Sequence, residues 1–225
     1  MPSPNDPPSL GTTVAQSKPY LSIVSYLESC LEAYGDTHLG VDWPVAGDVP
    51  TRHRVMLEVI REWPPDETTR LLDFGCGASG FYEYILERGI EIDYSGLDLS
   101  QKFVGLSKSK FPDNDYYCVD LLDAGVQLPQ FDYVTMNGVF TVKRDLSFDQ
   151  MLNYVKGVLV KVFELAKVGI AFNVMSKQVD WERDDLFHLP FDILADFLTS
   201  ELSRNFVFRN DYGLFEYTTY VYRQL

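Results

Sequence analysis

The sequence predicts an α/β fold: an open, mostly parallel sheet of seven strands with helices on both faces, two helices ahead of it and an antiparallel strand closing it. Three observations predict it. From residue 70 onward, short apolar β-rich runs alternate with segments of helical period. A glycine-rich stretch, "LLDFGCGASG" at 71–80, joins the first such run to the first of those helices. The sequence closes with two β-rich runs a short turn apart. At 225 residues and 46% hydrophobic composition, the chain can bury a full core as one globular unit.

The elements follow in order. "MPSPNDPPSLGTT" has no basic start, no apolar stretch and too many prolines for a helix, so a disordered tail is expected and no targeting signal is visible. "PYLSIVSYLESCLEAYG" spaces Leu21, Val24, Leu27, Leu31 and Tyr34 along one helical face and stops at Gly35. A second helix is expected through "TRHRVMLEVIREW", ended by Pro64 and Pro65, which lack the amide to continue. "RLLDF" reads as a buried strand, "SGFYEYILERG" as a helix closed by Gly89, and "EIDYSGLDL" as the next strand. Ser100 then caps the helix "QKFVGLSKSKF", and "DYYCVDL" is the third strand. "FDYVTMNGVF" is the fourth strand, Ser147 to Lys167 a long helix, and "GIAFNVM" the fifth strand. After the helix "PFDILADFLTSEL", the runs "NFVFRND" and "EYTTYVYR" form a hairpin.

Composition excludes several functions. With 19 basic and 33 acidic residues, the formal charge of −14 repels nucleic acid phosphates and acidic membrane headgroups. No apolar run reaches the roughly 20 residues of a membrane helix. Cys30, Cys76 and Cys118 form no C-x-x-C pair and leave an odd thiol, which suits a reducing, cytoplasmic setting. No His or carboxylate cluster has metal-ligand spacing, so no metal is expected.

Gly75, Gly77 and Gly80 have the G-x-G-x-x-G spacing of a dinucleotide loop, yet Asp73 stands two residues ahead of them. A dinucleotide would bring two phosphates to this carboxylate and be repelled. S-adenosylmethionine, with a sulfonium and an ammonium against one carboxylate, would be attracted. The sign of the charge selects the second ligand. Asp98 follows Gly80 by 18 residues, where an acidic ribose ligand is expected.

"LLDFGCGASG", "YSGLDLS", "CVDLLD" and "FDYVTMNGVF", in that order, resemble the motifs of class I S-adenosylmethionine-dependent methyltransferases, with their Rossmann-like sheet. "NGVFTVK", "AFNVMS", "RDDLFHLPFDIL" and "NDYGLFEYTTYVYR" look like small bacterial members of that family associated with surface-polysaccharide gene clusters. The resemblance divides the chain into a tail with two helices, 1–66, and a methyltransferase core, 67–225. It implies that Asp73, Gly75, Cys76 and Gly77 hold the methionine end of the cofactor and that Asp98 accepts the ribose hydroxyls. Leu99 would pack on adenine, Asp120 and the Leu121 amide would read its edge, and Asn137 and Gly138 would line the transfer side. Arg54 would pair with the cofactor carboxylate.

The family's chemistry is in-line methyl transfer, with S-adenosylhomocysteine as product and a small-molecule acceptor, here a hydroxyl or amine of a sugar-like metabolite. His188 and His38 are the candidate bases, since imidazole titrates in the right range. Trp43, Trp181, Asp211 and Tyr212 lie at connections and are expected to wall the acceptor pocket, together with the N-terminal helices and the loops at 175–190 and 211–216. Two rival readings stand beside this one: a nicotinamide-dependent oxidoreductase, and a non-catalytic binding module that keeps the fold.

Overall fold

In the computed structural model, which describes residues 18–61 and 67–223, the central run forms strand β1 (Arg70–Phe74), buried at every position after its first. An apolar run without alternation belongs to a strand covered on both faces, and this one lies mid-sheet. The other strands are β2 (Asp93–Leu97), β3 (Asp115–Tyr117), β4 (Phe131–Met136), β5 (Ala166–Met175), β6 (Phe206–Arg209) and β7 (Glu216–Tyr222). Their order is β3-β2-β1-β4-β5-β7-β6. The first five pair in parallel, while β7 runs antiparallel to both β5 and β6. Winding reverses between β1 and β4, so a crevice opens beyond the carboxyl ends of those two strands.

Helix α1 (Leu21–Tyr34) and helix α2 (Val49–Leu57) precede the sheet. Helices α3 (Gly80–Glu87), α4 (Gln101–Lys110), α5 (Phe148–Leu165) and α6 (Phe191–Phe197) connect its strands. Apolar residues of α2, α3 and α4 fill one face of the sheet, and those of α5 and α6 the other. Ser100 caps α4 by accepting from the amides of Lys102 and Phe103. Ser147 and Gln150 close a reciprocal capping box on α5. No helix among the described residues is long and apolar enough to cross a membrane.

Among the boundaries that differ from expectation, three have a tertiary reason. Helix α2 stops at Leu57 because hydroxyls of β7 claim one carbonyl in its last turn and one just past it: Tyr220 donates to Val55 at 2.6 Å and Tyr222 to Val59 at 3.1 Å. The expected stop at Pro64 and Pro65, like the tail at 1–13, lies outside the described residues. Helix α5 ends at Leu165, short of Lys167, where the Arg223 guanidinium donates to the carbonyls of Phe163 and Ala166, each at 2.6 Å. Strand β3 keeps three residues because Asp120 turns away to bind Lys18 and Tyr20.

Candidate active site

The turn after β1 is pinned to the tip of β2. The amides of Gly75 and Cys76 both donate to the Leu97 carbonyl, at 2.7 and 3.0 Å. Gly75 and Gly77 take positive φ, 74° and 52°, where a side chain is strained. A Cβ at Gly75 would stand 2.5 Å from Val139 Cγ2, so this position tolerates no side chain without a shift of its neighbour. Asp98, at the tip of β2, accepts the Gly77 amide at 3.0 Å and the Ser100 amide at 2.8 Å. The loop is therefore held by the carboxylate it serves.

Asp73 is 2% exposed and accepts from the Tyr94 hydroxyl at 2.8 Å and more loosely from Thr135 at 3.4 Å. Burial pushes its carboxyl up to about 7, although those two donors pull the other way. Asp98 is raised to about 6, again chiefly by burial, against the pull of its amide donors.

They border a cavity of about 380 Å³. Its floor is the glycine loop and the ends of β1, β2 and β4, and its roof is α1, the connection 36–43 and α2. Trp43 closes one side: a Cβ added to Gly138, whose φ is 82°, would meet the indole Nε1 at 3.0 Å. His38 lies in the same wall, where its Nδ1 can only donate to the Trp43 carbonyl at 2.6 Å. That bond fixes the tautomer and leaves Nε2 as an acceptor. Beyond Trp43 sits His53, 5% exposed, whose ring centroid is 5.5 Å from Trp43, 5.4 Å from Phe81 and 5.3 Å from Tyr84. Burial, aided by Arg88 and Arg52, lowers its pKa to about 4 and keeps the imidazole neutral.

A buried polar chain supports the transfer side. Arg52 donates to Glu216 at 3.0 Å, and the Asn173 amide nitrogen donates to the other Glu216 oxygen at 2.8 Å. Asn173 in turn accepts the Gly138 amide at 2.7 Å and approaches Asn137 Oδ1 at 3.5 Å. Asn137 Nδ2 remains buried with no partner among the described residues, beside the cavity.

Residues 72–167 match the profile of a family described as a methyltransferase domain. The match runs from β1 to the start of β5 and is a likeness to that domain. Rv1506c of Mycobacterium tuberculosis, named as a candidate methyltransferase, is 27% identical over 154 residues, 66% of this chain and 90% of that one. Among solved structures, magnesium protoporphyrin IX methyltransferase (ChlM) from Synechocystis PCC 6803, with bound S-adenosylhomocysteine, superposes with a TM-score of 0.64. It is 14% identical and covers 92% of this chain and 100% of its own. The 1,6-didemethyltoxoflavin-N1-methyltransferase of Burkholderia thailandensis, holding its acceptor and S-adenosylhomocysteine, gives 0.60 at 14% identity, covering 94% and 93%. At those identities the likeness is one of fold.

S-adenosylmethionine, the cofactor that solved relatives hold as such or as its product, fits the residues present. Its cationic end suits the acids Asp73 and Asp98 beside a loop whose Gly75 leaves no room for a Cβ, and an Asn137 amide unpartnered among the described residues stands at the strand end the motifs assign to the transfer side. Two phosphates would find no Lys or Arg among the described residues that line the cavity.

The structure gathers Asp73, Gly75, Cys76, Gly77, Asp98, Leu99, Asn137, Gly138, His38 and Trp43 around one cavity. Cys76 is wall, not nucleophile, since burial pushes its thiol well up. Other expected residues lie elsewhere. His188 is buried with both ring nitrogens taken, Nδ1 donating to the Ser176 carbonyl at 2.7 Å and Nε2 accepting the Arg183 amide at 3.2 Å, so it is a structural histidine. Arg54 pairs with Glu58 on the helix surface at 2.6 Å, while its neighbour Arg52 turns inward. Asp120 is occupied by Lys18 at 2.7 Å and Tyr20 at 2.6 Å, and Leu121 is buried in the core. Trp181 is 74% exposed, Asp211 pairs with Arg209, and Tyr212 bonds Thr218 at 3.0 Å. None of these seven lines the cavity, and neither do the loops 175–190 and 211–216; residues 36–43 and His53 take their place. Sequence reading passed over His53 because an isolated histidine within an amphipathic helix carries no motif.

Proposed function

We propose that this protein transfers a methyl group from S-adenosylmethionine to a small-molecule acceptor, a hydroxyl or amine of a sugar or sugar-derived metabolite. The observation that carries the reading is the pair of acids, buried Asp73 and half-buried Asp98, at the tips of adjacent strands beside a cavity lined by no Lys or Arg among the described residues. The structural relative from Burkholderia thailandensis also holds a small acceptor with its cofactor product.

When bound, the cofactor supplies a methyl group already activated for in-line displacement, its bonding pair returning to sulfur as the new bond forms. Alignment alone can be worth effective molarities of about 10⁵–10⁸ M, so the chain's task is to place and desolvate. Asp73 offers charge to the methionine end and Asp98 accepts from ribose hydroxyls. Leu99 packs on the adenine, and Asn137 and Gly138 face the transfer side, held by Asn173. Trp43 and α1 exclude water. His38 takes the acceptor's proton on Nε2, because its Nδ1–H is committed to the Trp43 carbonyl.

Calorimetry with S-adenosylmethionine and with NAD separates this from an oxidoreductase: only the first is expected to bind, and binding of NAD alone would overturn the reading. Transfer of a labelled methyl group to any acceptor in a metabolite extract separates it from a non-catalytic module. His38→Asn is expected to slow that transfer at unchanged cofactor affinity.

A further inference from the structure

Among the described residues, six side chains lining the cavity are carboxylates, Asp36, Asp42, Asp73, Glu83, Glu87 and Asp98, and none is Lys or Arg. Two of them belong to the cofactor end in the reading above; the other four ring the mouth. Of these, Asp36 and Glu83 share a single cation, Lys110, which reaches them from behind at 2.6 and 2.9 Å. Glu87 meets Arg88 only at 3.9 Å, and Asp42 makes no ion pair among the described residues. A monovalent cofactor cation and one lysine leave this wall negative.

A second observation points inward from the mouth. His53 forms part of the cavity wall, is 95% buried by its 5% exposure, and makes no hydrogen bond among the described residues. An imidazole in a cavity wall with no protein partner is free to accept a hydrogen bond from a bound donor. The imidazole is neutral, so it presents a lone pair to a donor and no charge to a cation. Around it Trp43, Phe81 and Tyr84 supply ring faces; Arg52 and Arg88, stacked on Trp43 and Tyr84, do not line the cavity.

A phosphorylated or carboxylated acceptor would meet a negative mouth with nothing to pair with. A neutral alcohol would satisfy His53 and gain nothing from the four acids. An ammonium uses all three features: it donates to His53, lies against aromatic faces and is drawn in by the carboxylates. We propose that the acceptor is an amine, carried in as an ammonium on an uncharged body, and that the cavity rejects phosphorylated and nucleotide-linked acceptors. This rests on the methyltransferase reading of the same cleft. Before transfer one N–H bond breaks, its proton passing to His38 Nε2 and its electron pair staying on the nitrogen that is methylated.

The test uses the full chain saturated with S-adenosylhomocysteine, whose binding is measured first by calorimetry. Three probes of one shape follow: 2-phenylethylamine, 2-phenylethanol and 3-phenylpropanoate, with glucosamine against glucosamine 6-phosphate as a second set. The amines are expected to bind at least tenfold more tightly than their anionic counterparts at low salt, with the margin shrinking at high salt. Asp42→Asn with Glu87→Gln should reduce that margin severalfold and leave S-adenosylhomocysteine binding as it was. His53→Phe should weaken the amines and leave the discrimination against anions. Equal binding of amine and anion, tighter binding of the anion, or no binding by any probe while the cofactor product still binds would overturn the proposal. Failure of S-adenosylhomocysteine itself to bind would overturn the reading beneath it. The comparison among probes on the unaltered chain stands even where a variant does not fold.

Discussion

Binding of S-adenosylmethionine should expel protons, in a number that the two acids fix. A carboxyl raised to about 7, as Asp73 is, or to about 6, as Asp98 is, must ionise to serve a cation or a pair of hydroxyls. At pH 6 Asp73 is then about nine-tenths protonated and Asp98 about half, so saturation releases about 1.4 protons; at pH 7 it releases about 0.6, and near pH 9 almost none. Affinity should correspondingly fall about 20-fold from pH 8 to pH 6, a decade from Asp73 and a factor of two from Asp98. Titration calorimetry in paired buffers of different ionisation heat measures the proton count directly. Asp73→Asn, which cannot ionise, should cut the release at pH 6 to about half a proton. The same substitution has a signature without ligand. A folded pKa above the unfolded value means the native state binds more protons, so Asp73 contributes stability at low pH that is lost as pH rises through about 7. Its asparagine variant should therefore be the more stable protein at pH 8, by on the order of 3 kcal/mol, and should match the parent near pH 4. No proton exchange at pH 6, or net uptake, would refute the assignment of these two acids.

Three further outcomes follow from the geometry. Asp98→Ala should weaken S-adenosylmethionine binding about tenfold or more, since a charge-assisted bond is worth roughly 1.5–3 kcal/mol, and unaltered affinity in the same calorimeter would remove Asp98 from the ribose. Gly75→Ala sets a side chain at φ 74° against Val139 and should cost about 2–3 kcal/mol in chemical denaturation, with no cost expected if the loop were free to move. His188→Gln should lower stability by about 1–3 kcal/mol through its two lost backbone partners while the transfer rate per folded molecule holds; a collapsed rate at normal stability would return His188 to the list of bases.

The parallel core was legible because β1, β4 and the capped helices are local statements: unbroken apolar runs, Ser100 and Ser147 at helix starts, glycines where φ turns positive. The glycine-loop side of the cavity was legible for the same reason, its residues falling at strand tips in a fixed spacing. The acceptor end was not, because nothing local tells His38 from His188. Their roles divide on what their nitrogens meet: a single carbonyl for one, a carbonyl and an amide for the other. Arg52 and Arg54 present the same problem, two arginines a turn fraction apart whose fates depend on a glutamate 164 residues downstream of the first. His53 gave no sign at all, since only the fold surrounds it with Trp43, Phe81 and Tyr84.

Helix α2 is fastened to β7 by two tyrosine hydroxyls and the Arg52–Glu216 pair, although the whole parallel sheet separates them in the chain. Contacts of such long sequence separation form late, after their loop-closure entropy has been met by the elements between. A nascent chain that has emerged only as far as β5 can have its nucleoside-facing strands in register while the roof that carries His53 still lacks its anchor. Ligand recognition thus waits for the synthesis of β7, and a polypeptide interrupted before it would be left with a half-made cleft.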